Sequence, residues 1–334
     1  MISQDIPLVE LHRHLDGSIR LETILELGLK HNLPLPGKTL DTLRPFVQVT
    51  TPQPGVMAFI EKFKWMTGVM VDYDSCRRIA YENVEDACRE GIDYIELRYS
   101  PWFMAEAHGL QPEGVVEAVT EGIRAAEQEH PIRVNQLGIL SRQYGPQIAM
   151  KELEAELRYA HEFAGLDLAG DEEGFPGELF RDHFRKARDA GWHITVHAGE
   201  SAGPESIWQA VRELGAERIG HAVRAPEDPA LLDFLREKGI GVECNLTSNV
   251  QTSVVSDYAA HPMRLFMEKK ILASINSDDP GISAINLRYE YEVAAPEAGL
   301  SPAMIRQAQE NALLTAFLTE EEKTALRRKK STGA

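Results

Sequence analysis

HITVHAGE, residues 193–200, opens as an apolar run of strand length and ends in His197, Gly199 and Glu200. The same form recurs along the chain: LVELHRHLD (8–16), YIELRYS (94–100), VNQLGILSR (134–142), GLDLAGDE (165–172), RIGHAV (218–223), GVECNLTSN (241–249) and ASINSDDP (273–280). Between these runs lie segments such as SCRRIAYENVEDACREG (75–91), GVVEAVTEGIRAAEQE (114–129) and ELFRDHFRKARDAG (178–191). Their apolar residues repeat at three and four positions, the helical period. Eight strands alternating with helices predict an α/β fold, either a (β/α)8 barrel or a doubly wound open sheet. Nearly every run turns polar at its C-terminal end, and only a barrel brings all those ends to one mouth. An open sheet concentrates them at a single switch point. The barrel is therefore the expectation.

The segment from Arg20 to Asp74 separates the first two strands and carries the helical patterns ETILELGLKHN (22–32) and VMAFIEKFKWMTG (56–68). It reads as helices folded over the mouth, a lid inserted into one domain spanning 1–334. The tail ALRRKKSTGA (325–334) reads as a fraying helix end.

The 334 residues are 43% hydrophobic and 26% charged, the balance of a globular protein, and the formal net charge is −17. That charge opposes a nucleic-acid backbone or an anionic membrane as partner. A neutral nucleoside or base is not opposed. Cys76, Cys88 and Cys244 form no CxxC pair and no disulfide framework. No basic leader followed by an apolar run opens the sequence, and no stretch has the length and apolarity of a membrane span. The expected compartment is the cytoplasm.

His12 and His14 stand two apart on a strand, so both side chains face one way while Arg13 faces the other. Such a pair is either two hydrogen-bonded core histidines or half of a metal site. His197 and the adjacent Asp278 and Asp279, each ending another strand, favour the metal. Two neighbouring carboxylates leaving a core need a cation or a proton beside them. Three imidazoles and a carboxylate suit Zn²⁺. The fourth and fifth strand ends hold no lysine that could bridge two ions, so one ion is expected. Asp279 has a second reading, as the N-cap of the helix after the last strand. Glu200 is either a general acid/base beside a metal-bound water or a solvated carboxylate, and His221 is a further candidate at the same mouth.

HRHLDGS, LDLAGDE, HAGE, GPESIWQAV, RIGHAV, LTSN and SINSDDPG resemble, in this order, the motifs of the adenosine deaminases; the resemblance covers residues 8 to about 320. It implies a (β/α)8 barrel with one Zn²⁺ per chain. The implied reaction converts adenosine and 2′-deoxyadenosine to the inosines plus ammonia, a step of purine salvage. Carried over motif by motif, it implies His12, His14, His197 and Asp278 as zinc ligands, Glu200 as proton donor and His221 as the residue positioning the hydroxide. Asp279 would contact the purine, Gly170 would offer its backbone N–H to the ring, Asp16 would bond the sugar, and His14 would line the same pocket. Asp167 would orient a ligand. Two positions depart from the family pattern: Ala222 follows His221 where glycine is common, and Ser277 stands where threonine is frequent. If position 222 needs φ > 0, its alanine is strained. Two rival readings are a deaminase of free adenine, against which Asp16 argues, and a non-catalytic nucleoside-binding barrel. A cytidine-type deaminase is excluded by the missing PCxxC motif.

Overall fold

The computed structural model describes residues 1–49 and 51–332. Eight parallel strands run in chain order around the molecule: β1 Val9–His14, β2 Tyr94–Tyr99, β3 Arg133–Ser141, β4 Phe163–Ala169, β5 His193–Ala198, β6 Arg218–His221, β7 Gly241–Cys244 and β8 Leu272–Ile275. Each neighbouring pair from β1 to β8 is hydrogen-bonded and parallel. The ring closes just beyond β8. There Arg13 bridges to Asp278, the His14 N–H donates to the Asp278 carbonyl at 2.9 Å, and the Asp278 N–H donates to the His12 carbonyl at 2.9 Å. An open sheet has no such closing contact, so the fold is the (β/α)8 barrel.

The strands end earlier than their polar tails suggest. Strand β7 stops at Cys244, and Leu246–Gln251 form a short helix, so LTSN leaves the ladder before it reaches the mouth. Similarly, β5 ends at Ala198 and β6 at His221. The chemistry-bearing residues thus sit at strand ends or in the first turn after them, where the backbone can leave extended geometry.

The barrel interior below the mouth is filled by ions as well as apolar groups. Arg98 donates to Asp167 (2.7 Å) and Glu243 (3.0 Å), and Arg218 donates to Glu243 (2.6 Å) and to Glu96. All five side chains are essentially sealed from water. Charges buried in this way persist only when paired on several sides, as these are.

Between β1 and β2 lie α1 (Leu21–Lys30), α2 (Leu40–Val47), α3 (Val56–Ile60) and α4 (Lys64–Thr67), before the long α5 (Tyr73–Arg89). Helix α1 buries Leu21, Ile24 and Leu27 along one face. Reciprocal bonds between Thr39 and Thr42 cap the start of α2. The Val49 N–H donates to the Ile282 carbonyl (2.8 Å) and the Gln53 N–H to the Gln251 carbonyl (2.7 Å). These bonds lash the segment to the loops after β8 and β7, which places α3 across the mouth. The C-terminal tail is helical from Glu320 to Thr332; residues 333 and 334 lie outside the described residues.

Candidate active site

Four side-chain atoms from β1, β5 and the turn after β8 converge at the mouth. His12 Nε2 lies 3.1 Å from His197 Nε2 and 3.3 Å from His14 Nε2, and the last two are 3.2 Å apart. Asp278 Oδ1 is 3.2 Å from His12 Nε2 and 3.3 Å from His14 Nε2. The far edges of two rings are tied down. His12 Nδ1 contacts Glu243 at 2.6 Å, and His197 Nδ1 contacts Asp167 at 2.9 Å. A carboxylate only accepts, so both Nδ1 atoms carry the proton and both Nε2 atoms present lone pairs to each other. Lone pairs and a carboxylate held this close repel unless a cation lies among them. Donors 3.1–3.3 Å apart can share one ion at about 2.0–2.1 Å, the usual Zn–N distance, since two such ligands can stand up to about 4.2 Å from each other. The donor set therefore fits a metal ion of this kind.

Burial disfavours the charged form of His197 and takes its pKa down to about 4. Burial also opposes ionisation of Asp278, but the His12 and His14 rings beside it outweigh this and hold its carboxyl well below its ordinary value. Glu200 is the reverse case. Burial first, then the negative charges of Asp278 and Glu172, push its pKa well above the ordinary range. Asp279 is pushed up likewise by burial and by Asp278 beside it. Of two adjacent carboxyls, one is ionised and the other holds a proton. Asp16 is raised by burial to about 6.

Asp279 does not cap the helix that follows it: its side chain makes no capping bond, and Oδ1 is buried without a partner. Asp16 Oδ1 is also buried and unpartnered. Gly17 lets these two approach. A Cβ there would lie 1.7 Å from Asp279 Oδ1. Gly170 lines the cavity at φ +102°, a conformation that residues with a Cβ rarely adopt. The cavity spans about 640 Å³, including space open to solvent, and is lined by His14, Asp16, Gly170, Glu200, His221 and Asp279, among others. Val56, Phe59, Ile60 and Phe63 of the α3–α4 region form an apolar wall on its outer side.

The backbone around the mouth is strained. His221 has φ +67°, Ala222 +52° and Asp278 +60°. Position 222 thus does require the left-handed conformation, and alanine holds it without glycine's freedom.

The adenosine deaminase family model matches residues 7–331. The chain belongs to the adenosine deaminase family. It is 57% identical to an adenosine deaminase of Photorhabdus laumondii over 98% of this chain and 99% of that one. Among solved structures, it is similar to an adenine deaminase from Arthrobacter aurescens (TM-score 0.90, 22% identity, 98% and 99% of the two chains), a likeness of fold. It is also similar to an amidohydrolase from Burkholderia ambifaria solved with bound Zn (TM-score 0.88, 25% identity, 99% and 91%).

The family's motifs account for the converging side chains, yet several residues that hold them escape a reading of motifs. Glu243 on β7 orients His12, and Arg98 on β2 ties Glu243 to Asp167. Glu172, in the deaminase motif AGDE, accepts from the backbone N–H groups of Glu200 (3.1 Å), Ser201 (2.9 Å) and Ala202 (3.0 Å), and so shapes the turn that carries Glu200. The Asn249 side-chain amide donates to His221 Nδ1 at 2.9 Å and lies 3.4 Å from Glu200 Oε1. A charged residue in an apolar strand was the available signal for Glu243; for Asn249 there was only its place in LTSN.

Proposed function

We propose that this chain hydrolyses adenosine and 2′-deoxyadenosine to inosine and 2′-deoxyinosine plus ammonia, using one Zn²⁺ held by His12, His14, His197 and Asp278. The observation that carries this reading is the pairing of two environments in one cavity: His12, His14, His197 and Asp278 converge, and beside them stands a buried Glu200 whose pKa is raised well above its ordinary value. A bound Zn²⁺ supplies Lewis-acid activation of water at neutral pH.

The chain's own groups do the rest. Nucleophilic addition at C6 moves electrons onto N1 of the purine, and a protonated Glu200 delivers a proton there. Purine N7 only accepts, so a protonated Asp279 donates to it; an ionised one would repel it. The N–H of Gly170 donates to the ring, and Asp16 accepts from a sugar hydroxyl. His221 orients the nucleophile, and the apolar wall of α3 and the residues after it excludes bulk water. The segment 20–74 acts as a lid within one domain. A small neutral nucleoside is the partner, with no nucleic acid or membrane surface, which agrees with a net charge of −17. No helix among the described residues is long and apolar enough to cross a membrane, and we assign the protein to the cytoplasm.

Free adenine offers Asp16 no hydroxyl, so it leaves that buried carboxyl unpaired, at a cost of about 1–3 kcal/mol. Incubation with adenosine is expected to release one ammonia per inosine formed, with adenine turned over at least ~10-fold more slowly, the equivalent of about 1.4 kcal/mol. Preferential turnover of adenine would overturn the nucleoside reading.

A further inference from the structure

Beside His221, three side chains and one backbone group form a line. The Met263 N–H donates to His261 Nδ1 at 3.1 Å, His261 Nε2 lies 3.1 Å from Asn249 Oδ1, and Asn249 Nδ2 lies 2.9 Å from His221 Nδ1. His261, Asn249 and His221 are all buried. Of these residues the family's motifs single out only His221, and the reaction proposed above uses only that member.

A backbone N–H can only donate, so His261 Nδ1 must be a bare acceptor, and the ring of a neutral imidazole then carries its proton on Nε2. Burial keeps His261 neutral, with its pKa brought down to about 3. The Nε2–H donates to the Asn249 carbonyl oxygen, which settles which end of that amide faces which way. The opposite end is therefore NH₂. One of its hydrogens points to His221 Nδ1 and the other toward Glu200 Oε1 at 3.4 Å. His221 Nδ1 is in turn a bare acceptor. Asn245 Nδ2 lies at nearly equal distances from both nitrogens of that ring, 3.3 and 3.4 Å, and so does not choose between them.

We propose that the Met263–His261–Asn249 relay fixes His221 as the Nε2–H tautomer, which makes Asn249 and His261 positioning residues for the reaction. His221 then presents a hydrogen-bond donor, and no lone pair, to the edge of the cavity where its Nε2 lies 3.9 Å from Asp278 Oδ2. In this form it orients an oxygen nucleophile by donating to it and does not serve as a base through Nε2. The same amide holds Glu200 in register with His221, so the acid and the orienting donor are set by one side chain.

The kinetic part of the test rests on the deaminase reading; the ring protonation does not, because it is read without substrate. In the zinc-loaded protein with ¹⁵N-labelled histidine, the His221 signals, assigned by their loss in His221→Asn, are expected to show a protonated Nε2 and a bare Nδ1. In Asn249→Asp, a carboxylate has no hydrogen to give. His221 must donate from Nδ1, and the pattern reverses. With adenosine, that variant is expected to lose on the order of 10²–10⁴ in kcat, the scale of a wrong tautomer, with KM within about threefold. Asn249→Ala leaves the ring free to choose and is expected to lose less. A residue that only filled space would give the opposite order, since Asp is nearly isosteric with Asn. A protonated Nδ1 in the wild type, or Asn249→Asp as active as Asn249→Ala, would overturn the proposal. His261→Gln retains a donor toward Asn249 and is expected to keep the wild-type His221 pattern where His261→Leu does not.

Discussion

Ala222 shows how much a single residue can say before and after the structure. Its place after His221 raises the question of a positive φ, and the backbone answers with φ +52°. The left-handed region costs a non-glycine residue roughly 1–2 kcal/mol. Glycine relieves that strain but adds about 0.4–1 kcal/mol of unfolded-state freedom. Ala222→Gly is therefore expected to leave stability unchanged or raise it by up to about 1.6 kcal/mol. A denaturant titration showing a loss larger than about 1 kcal/mol, the usual cost of glycine in regular structure, would contradict the strain argument. His12 and His14 were legible for a simpler reason: a period of two is a property of any strand. Asn249, Glu243 and Glu172 were not, because each acts on a partner 28 or more residues away. Only the closed barrel makes those residues neighbours.

At the scale of elements, the strand-helix alternation was readable throughout, and the errors lay at strand ends. GVECNLTSN looks like one long strand but divides into β7 and a helix, since Asn245 leaves the extended region and Leu246 begins a turn held by Glu290. The insertion after β1 was readable as helical. Its position over the mouth depends on backbone bonds to the turns after β7 and β8, which carry no sequence signature. Phe63, immediately before α4, packs against Phe103 (5.7 Å between ring centroids) and Phe59 (6.3 Å) on the cavity wall. Truncation to Phe63→Ala removes apolar surface from the wall of the cavity proposed to take the purine. A loss of some 55 Å² of contact corresponds to about 1.4 kcal/mol. KM for adenosine is then expected to rise roughly tenfold, with kcat changed by less than about threefold. Steady-state kinetics check this. A fall in kcat at constant KM would mean that the wall acts on the chemical step and not on binding.

Across the whole molecule, buried charge is used in two ways. The network of Arg98, Arg218, Glu96, Asp167 and Glu243 is paired through several ion pairs and supports His12 and His197. Glu156, on the helix Gly145–Leu157, is different. Both its oxygens are buried with no hydrogen-bond partner, packed against Gly138, and burial raises its pKa well above 4.5. A carboxyl with a raised folded-state pKa binds a proton in the folded protein that the unfolded chain has released. Its contribution is therefore most favourable below the unfolded pKa of about 4.5, and it declines as pH rises toward the folded value. Glu156→Met removes two unpaired oxygens at similar volume and is expected to stabilise the protein by about 1–3 kcal/mol, with the gap over wild type wider at pH 8 than at pH 5. Calorimetry at the two pH values tests this; a gap that narrows with pH would show that Glu156 is ionised and paired in the folded state.

The central claim is that a single metal ion, held by His12, His14, His197 and Asp278, makes this barrel an adenosine deaminase. It is tested most directly by one measurement, the rate of inosine formation from adenosine with zinc stripped and then restored to one equivalent per chain. The account predicts that stripping abolishes turnover, that one equivalent of Zn²⁺ restores it, and that Asp278→Ala is restored by neither one equivalent nor an excess. Full inosine formation by the metal-free protein, or no inosine from the protein loaded with zinc, would contradict it.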